Sequence, residues 1–180
     1  MPEPVIVAAT RTPIGRAFKG SLTGVRPDDL AATVIAAALS SVPELDPHEI
    51  DDIYVGCGEP YDEQGGNIAR RVAVMLGYDD VPGATVNRYC ASSLQTTRMA
   101  ANAVRAGDGE VFVSAGVECV SRYRRFAGAG VEAEDVLNPL FDAARARTAE
   151  YARTNEVWRD PRELGLLPDV YIAMGQTAEH

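Results

Sequence analysis

A chain of 180 residues, 46% apolar and 24% charged, is long and apolar enough to bury a substantial core, which excludes an intrinsically disordered protein. Its 26 acidic residues against 17 basic ones give a net charge of −9, which argues against nucleic acid as a partner, because phosphates reward basic faces. No run reaches the ~20 apolar residues of a membrane span, and Met1–Pro4 carries no basic region ahead of an apolar one, so neither membrane association nor a secretory signal is expected.

Pro4–Ala9 is apolar and β-branched at its centre, which predicts a strand buried on both faces. Arg11–Gly24, with Pro13, Gly15 and Gly20, reads as a loop. Pro27-Asp28-Asp29 opens a helix: proline suits the first turn, and the acids suit the positive end of the dipole. Leu30, Val34, Ile35, Ala38 and Leu39 share its inner face. Asp46-Pro47-His48-Glu49 predicts a second helix start, with Asp46 as cap and Glu49 closing a capping box. Ile53–Cys57 is the second strand. Asn67 caps a helix running to Gly77, with Ile68, Val72, Met75 and Leu76 inward. Ala84–Asn87 is the third strand, Ser92–Arg105 a helix stopped by Gly107, and Glu110–Ala115 the fourth strand.

Strands alternating with helices predict an α/β fold, a mostly parallel sheet with helices on both faces, over residues 1–119. From residue 120 to 180 the texture changes. Arg122, Arg124 and Arg125 cluster, acids follow from Glu132 to Asp135, and one helix over Leu140–Arg153 stands among loops. Gly56-Cys57-Gly58 lacks the third glycine of a dinucleotide fingerprint and reads as a turn.

Cys57, Cys90 and Cys119 make no disulfide framework and no Cys-x-x-Cys pair, and His48 and His180 are the only histidines. No metal site is expected, and the compartment is expected to be the reducing cytoplasm. The cysteines differ in setting. A strand delivers Cys90 to the first turn of a helix, where free N–H groups and the dipole favour the thiolate. Ala91, Ser92 and Ser93 are small enough for an acyl group to approach. Cys90 is therefore a candidate nucleophile, the alternative being a small residue filling the strand–helix junction. Cys57 and Cys119, at strand ends among apolar neighbours, read as core.

Asn87-Arg88-Tyr89-Cys90-Ala91-Ser92-Ser93-Leu94-Gln95 resembles the acylation-site motif of the thiolases. Four further segments match that family in order: Arg11-Thr12-Pro13-Ile14-Gly15 with Gly20-Ser21-Leu22, Gln64-Gly65-Gly66-Asn67-Ile68-Ala69-Arg70, Ala115-Gly116-Val117-Glu118-Cys119-Val120-Ser121, and Leu167-Pro168 with Met174-Gly175-Gln176-Thr177-Ala178-Glu179. The resemblance implies an acyltransferase that cleaves 3-ketoacyl-CoA with CoA to acyl-CoA and acetyl-CoA, or runs the reverse condensation, through a thioester on Cys90. Coenzyme A and acyl-CoA are the implied partners and substrates, with no resident cofactor. The family also implies a homodimer or tetramer for the full-length protein.

In the family a histidine of a Gly-His-Pro motif activates the nucleophile, and a second cysteine, in a Cys-x-Gly motif, moves a proton. Neither motif occurs in these 180 residues, and neither His48 nor His180 matches a catalytic position. The chain is thus expected to be the front part of a thiolase. On that expectation the last strand of its N-terminal sheet is missing, its loop domain is partial, the C-terminal domain is absent, and the chain alone is expected to be inactive. The alternatives are a thiolase-like subunit that needs a partner chain and a ketoacyl synthase relative. By the same resemblance Met174 lines the acyl pocket, or else only fills a gap. Ser93, where many members have glycine, narrows that pocket. Arg122, Arg124 and Arg125 meet CoA phosphates or form a solvated or interface cluster.

Overall fold

In the computed structural model Pro27–Ser40 form helix α1, with proline in the first turn and Asp28 and Asp29 following. Ala31 and Ile35 are fully buried along its inner stripe, and Val34 and Leu39 pack beside them. The structure describes residues 2–122, 137–154 and 157–179. The expectations for Arg124, Arg125, Glu132–Asp135 and His180 lie outside the described residues. The chain divides into two compact units, Met1–Ala127 and Gly128–His180.

In the first unit, β1 (Asp52–Gly56), β2 (Gly83–Val86) and β3 (Phe112–Gly116) form a parallel sheet in the order β2-β1-β3. The register runs Ile53↔Gly83 to Gly56↔Val86 on one side of β1 and Asp52↔Phe112 to Gly56↔Gly116 on the other. Helix α2 (Ile68–Met75) connects β1 to β2, and α3 (Ser92–Ala106) connects β2 to β3. These two steps move along the sheet in opposite directions. Because parallel crossovers are right-handed, they must place their helices on opposite faces. Alternation along β1 shows the result. Ile53 and Val55 face α1 and α2, joining Ile35, Ile68, Val72 and Val81 in one core. Gly56 faces the start of α3.

Two helix stops follow from the sequence. Asn67 caps α2, its side chain accepting from the Arg70 N–H. Gly107, at φ 78°, ends α3 in a left-handed turn.

Three expectations are corrected. Pro4–Ala9 is not a buried strand: it joins no ladder, and Val5, Ile6 and Val7 are 77%, 80% and 73% exposed. β-branched residues suit a pleated, half-buried surface, but a strand also needs a neighbour for its N–H and C=O groups, and none of the described strands supplies one. Asp46 caps only a single 3-10 turn, Pro47–Glu49, with no capping box. Ile50 is already extended, at φ −72° and ψ 119°, to enter β1 two residues later, so a helix has no room. Met75 points outward at 45% exposure, because α2 ends there and Leu76 and Tyr78 cover the core instead.

In the second unit a 3-10 turn, Pro139–Phe141, leads into α4 (Asp142–Thr154), and α5 spans Met174–Glu179. Phe141 and Tyr171 meet edge to face at 5.8 Å, and the Tyr171 hydroxyl accepts from the Asn138 N–H at 3.1 Å. No helix among the described residues is long and apolar enough to cross a membrane.

Candidate functional site

Every strand of a parallel sheet points its C-terminal end to the same edge, and in open α/β sheets that edge is where ligands bind. Here the edge gathers Cys57 after β1, Asn87–Cys90 after β2, and Val117–Cys119 after β3. Cys57 and Cys119 are 1% and 7% exposed, and Cys90 alone of the three cysteines is exposed. Burial, reinforced by the nearby Glu118 charge, pushes the Cys57 thiol up to about 12. Burial also raises the Cys119 thiol, whose sulfur lies 3.7 Å from the Val25 carbonyl oxygen. Both are therefore protonated, inaccessible core residues, as expected.

Cys90 lies in a 3-10 turn, Tyr89–Ala91, that passes directly into α3. The start of α3 is pressed onto the sheet through glycines. A Cβ on Gly56 would stand 2.6 Å from the Ser93 backbone nitrogen, and one on Gly116 would collide with the Ser93 hydroxyl. Ser93 therefore turns its Oγ onto the sheet beside β3. Hydroxyls complete the attachment. Thr96 and Thr97 both donate to the Ser93 carbonyl, at 2.8 and 2.9 Å, or bond the Ser114 Oγ of β3, at 2.9 and 3.0 Å. The buried side chains of α3 are thus polar, Ser92 and Thr96, while Leu94 is 73% exposed.

The turn itself is bonded on every side. The Tyr89 N–H donates to Asn87 Oδ1 at 2.8 Å, and the Arg88 guanidinium donates to Gln95 Oε1 at 2.6 Å. Ser92 Oγ accepts the Arg88 N–H at 2.8 Å and donates to the Tyr89 carbonyl at 2.6 Å. Tyr89 has φ 46°, in the left-handed region that aromatic residues rarely adopt. Ala91, at the N-cap position of α3, makes no side-chain cap bond.

Beside this turn sits a polar hub that sequence reasoning missed. Glu118 accepts the Gly58 N–H at 2.7 Å, the Gln64 Nε2–H at 2.6 Å and the Cys57 S–H at 3.8 Å. Gln64, 2% exposed, also donates to the Glu59 carbonyl and accepts the Cys119 N–H. The one signal was membership of the matching segments, Gln64-Gly65-Gly66-Asn67 and Ala115–Ser121. A cavity of about 290 Å³ opens next to the hub, bounded by Ile14, Leu22, Leu30, Cys119 and Ser121.

The arginine expectation resolves for one residue. Arg122 binds Glu63 through two nitrogens, Nη2 reaching Oε1 at 2.7 Å, and this bond holds the Glu63 carboxyl below the usual range. Arg26 also reaches Glu63, at 2.9 Å, and joins Arg71 on the buried Asp28. Burial works against the Asp28 carboxylate, yet the bonds from Arg26 and Arg71 outweigh it and keep its carboxyl below the usual range. Arg122 is thus an internal ion-pair residue.

His48 lies before β1 and Asp80 before β2, so this pair, 2.7 Å apart, occupies the opposite edge of the sheet from Cys90. It cannot act as the base for Cys90. Met174 opens α5 in the second unit and is 69% exposed. The described residues hold no group of three or more side chains able to bind a metal ion.

A protein-family model described as the thiolase N-terminal domain matches residues 4–134. The chain is 46% identical over 119 residues to a 3-ketoacyl-CoA thiolase of Aeromonas salmonicida (strain A449), covering 66% of this chain and 31% of that protein. It is 42% identical over 123 residues to a 3-ketoacyl-CoA thiolase of Bacillus subtilis (strain 168), covering 68% and 31%. It is also 40% identical over 143 residues to a β-ketoadipyl-CoA thiolase of Escherichia coli, covering 79% and 35%. The chain thus spans about a third of the length of the curated relatives it matches.

Proposed function

We propose, for a chain that belongs to the thiolase family, that Cys90 is the acyl-accepting nucleophile of a 3-ketoacyl-CoA thiolase reaction. The observation that carries this reading is that Cys90 is the one exposed cysteine and stands between the C-terminal end of β2 and the uncapped start of α3. The positive end of the helix dipole there favours the negative oxygen of a tetrahedral intermediate.

In the proposed cleavage the Cys90 thiolate attacks the keto carbon of the substrate. The bond between that carbon and the next one toward the thioester breaks. Its electron pair leaves with the acetyl-CoA fragment, which takes up a proton, and the acyl group remains on Cys90 as a thioester. The thiol of CoA then attacks this thioester, releases acyl-CoA and returns the cysteine sulfur. The reverse sequence condenses acyl-CoA with acetyl-CoA.

The proton transfers need a base and an acid. His48 is on the wrong edge, and Cys57 and Cys119 are buried, so none of these serves. The base and the second cysteine are proposed to lie outside these 180 residues, leaving the chain by itself unable to turn over. The same reading takes CoA thioesters as substrates with no resident cofactor, places Met174 in the acyl pocket, and puts the protein in the cytoplasm as a homodimer or tetramer.

The test is to incubate the full-length protein with a 3-ketoacyl-CoA and CoA, quench in acid and map the acyl adduct by mass spectrometry. An adduct on Cys90 is expected. Substrate consumption with no adduct there would overturn the assignment.

A further inference from the structure

We infer that Ser92 is a positioning residue for Cys90: one buried hydroxyl holds the two residues before the nucleophile in the conformation that presents its thiol. The inference rests on Cys90 being the nucleophile.

Ser92 is 4% exposed, and its Oγ is bonded on both sides. It accepts from the N–H of Arg88 at 2.8 Å and donates to the carbonyl of Tyr89 at 2.6 Å. A serine at the N-cap position spends its hydroxyl on the free N–H groups of the helix, but Ser92 is the first residue inside α3. This one reaches backward instead, and the N-cap position, Ala91, has no side chain able to take its place. The hydroxyl is thus committed to the strand–helix turn and not to the start of the helix.

That turn needs holding. Tyr89 sits at φ 46°, where a side chain crowds its own backbone, and such a conformation persists only when its surroundings over-determine it. Three partners do so here. Asn87 Oδ1 takes the Tyr89 N–H at 2.8 Å, and Ser92 takes the carbonyl. Gly58 closes the third side, since a Cβ there would stand 3.2 Å from the Tyr89 carbonyl oxygen. Glu118 fixes Gly58 in turn by accepting its N–H. Without the Ser92 hydroxyl the Arg88 N–H loses its partner and the Tyr89 carbonyl keeps only the Ser92 N–H. The peptide joining Tyr89 to Cys90 is then held by fewer partners against leaving the left-handed conformation, and any rotation there carries the thiol and N–H of Cys90 with it.

The experiment compares full-length wild type with Ser92→Ala and Ser92→Thr. It follows two readouts: the rate of iodoacetamide alkylation of Cys90 across pH, located by peptide mass spectrometry, and the kcat and KM of thiolysis. Because misplacing a reacting atom by about 1 Å can cost up to about a hundredfold, Ser92→Ala is expected to slow both alkylation and kcat by roughly tenfold or more with KM nearly unchanged. Ser92→Thr, which keeps the hydroxyl, should recover most of the loss. A Ser92→Ala protein that alkylates and turns over like wild type, or a threonine variant as impaired as the alanine one, would overturn the inference.

Should Ser92→Ala fold poorly, Tyr89→Gly is added to it, because glycine occupies the left-handed region without crowding. The double variant is expected to fold and to regain most of the alkylation rate. A penalty for Ser92→Ala that is equally large with glycine at position 89 would refute the inference. Alkylation needs no thiolase chemistry, so a wild-type protein that forms no acyl adduct would remove the proposed function while the alkylation series still decides the role of Ser92.

Discussion

The two faces of the sheet are built by opposite means. On one face α1 and α2 bury Ile35, Ile68, Ala69 and Val72 almost completely against Ile53 and Val55. On the other, α3 approaches over glycine and is pinned through the hydroxyls of Thr96, Thr97 and Ser114, with Leu94 exposed. Burial of apolar area is non-directional and supplies stability. Hydrogen bonds are directional and supply little net stability, but they fix orientation. The apolar face therefore holds the unit together, and the hydroxyl face aims Cys90.

This division predicts variants that separate the two roles. Ile68→Ala removes a fully buried side chain from the apolar face and should cost about 3–4 kcal/mol in urea unfolding. The alkylation rate of Cys90 in the folded fraction should stay unchanged. Gly116→Val inserts a side chain where the Ser93 hydroxyl lies and should cost about 2 kcal/mol. Unlike Ile68→Ala it should also slow Cys90 alkylation, because the start of α3 must lift from the sheet.

Thr96→Val keeps the shape and removes one hydroxyl. It should cost about 1 kcal/mol, since Thr97 still bonds both the Ser93 carbonyl and Ser114. A Thr96→Val protein less stable than Ile68→Ala would reverse the assignment of the faces.

The smallest effect belongs to the far edge. The hydrogen bond that His48 donates to the Asp80 carboxylate raises the exposed imidazole above its usual value. Its contribution is present below the ordinary histidine pKa of ~6.5 and fades as pH rises through the folded value. His48→Ala should change the melting temperature slightly at pH 5.5, less at pH 8.5, and leave Cys90 alkylation untouched at both. Asp28 behaves in the opposite sense. Its lowered carboxyl contributes above the ordinary aspartate value of ~3.9 and is lost as pH falls through the folded one.

The local parts of this architecture were legible in the sequence. β1, β2 and β3 lie within a residue or two of their expected positions, and Asn67, Gly107 and Pro27 act as expected, because caps, stops and short apolar runs depend on near neighbours. The exposed segment Val5–Val7 was misread because a strand is made by its partner, which composition does not reveal. The placement of Cys90 between strand and helix was also legible.

What holds that placement was not. Gln64 and Glu118 meet from segments 54 residues apart, and Glu118 reaches Gly58 across 60. A buried polar side chain shows its role only once the fold has brought its partners together. Ser92 read simply as a small residue beside the nucleophile, and only its two hydrogen bonds give it a task.

The most direct measurement is a protection experiment on the full-length protein. The protein is alkylated with iodoacetamide, with and without prior exposure to acetyl-CoA, and labelling at Cys57, Cys90 and Cys119 is quantified by peptide mass spectrometry. The account predicts that, of these three, only Cys90 is labelled rapidly, that acetyl-CoA abolishes this labelling, and that Cys57 and Cys119 stay unlabelled until the protein unfolds. Labelling of Cys57 or Cys119 in the folded protein, or labelling of Cys90 that acetyl-CoA leaves unchanged, would contradict it.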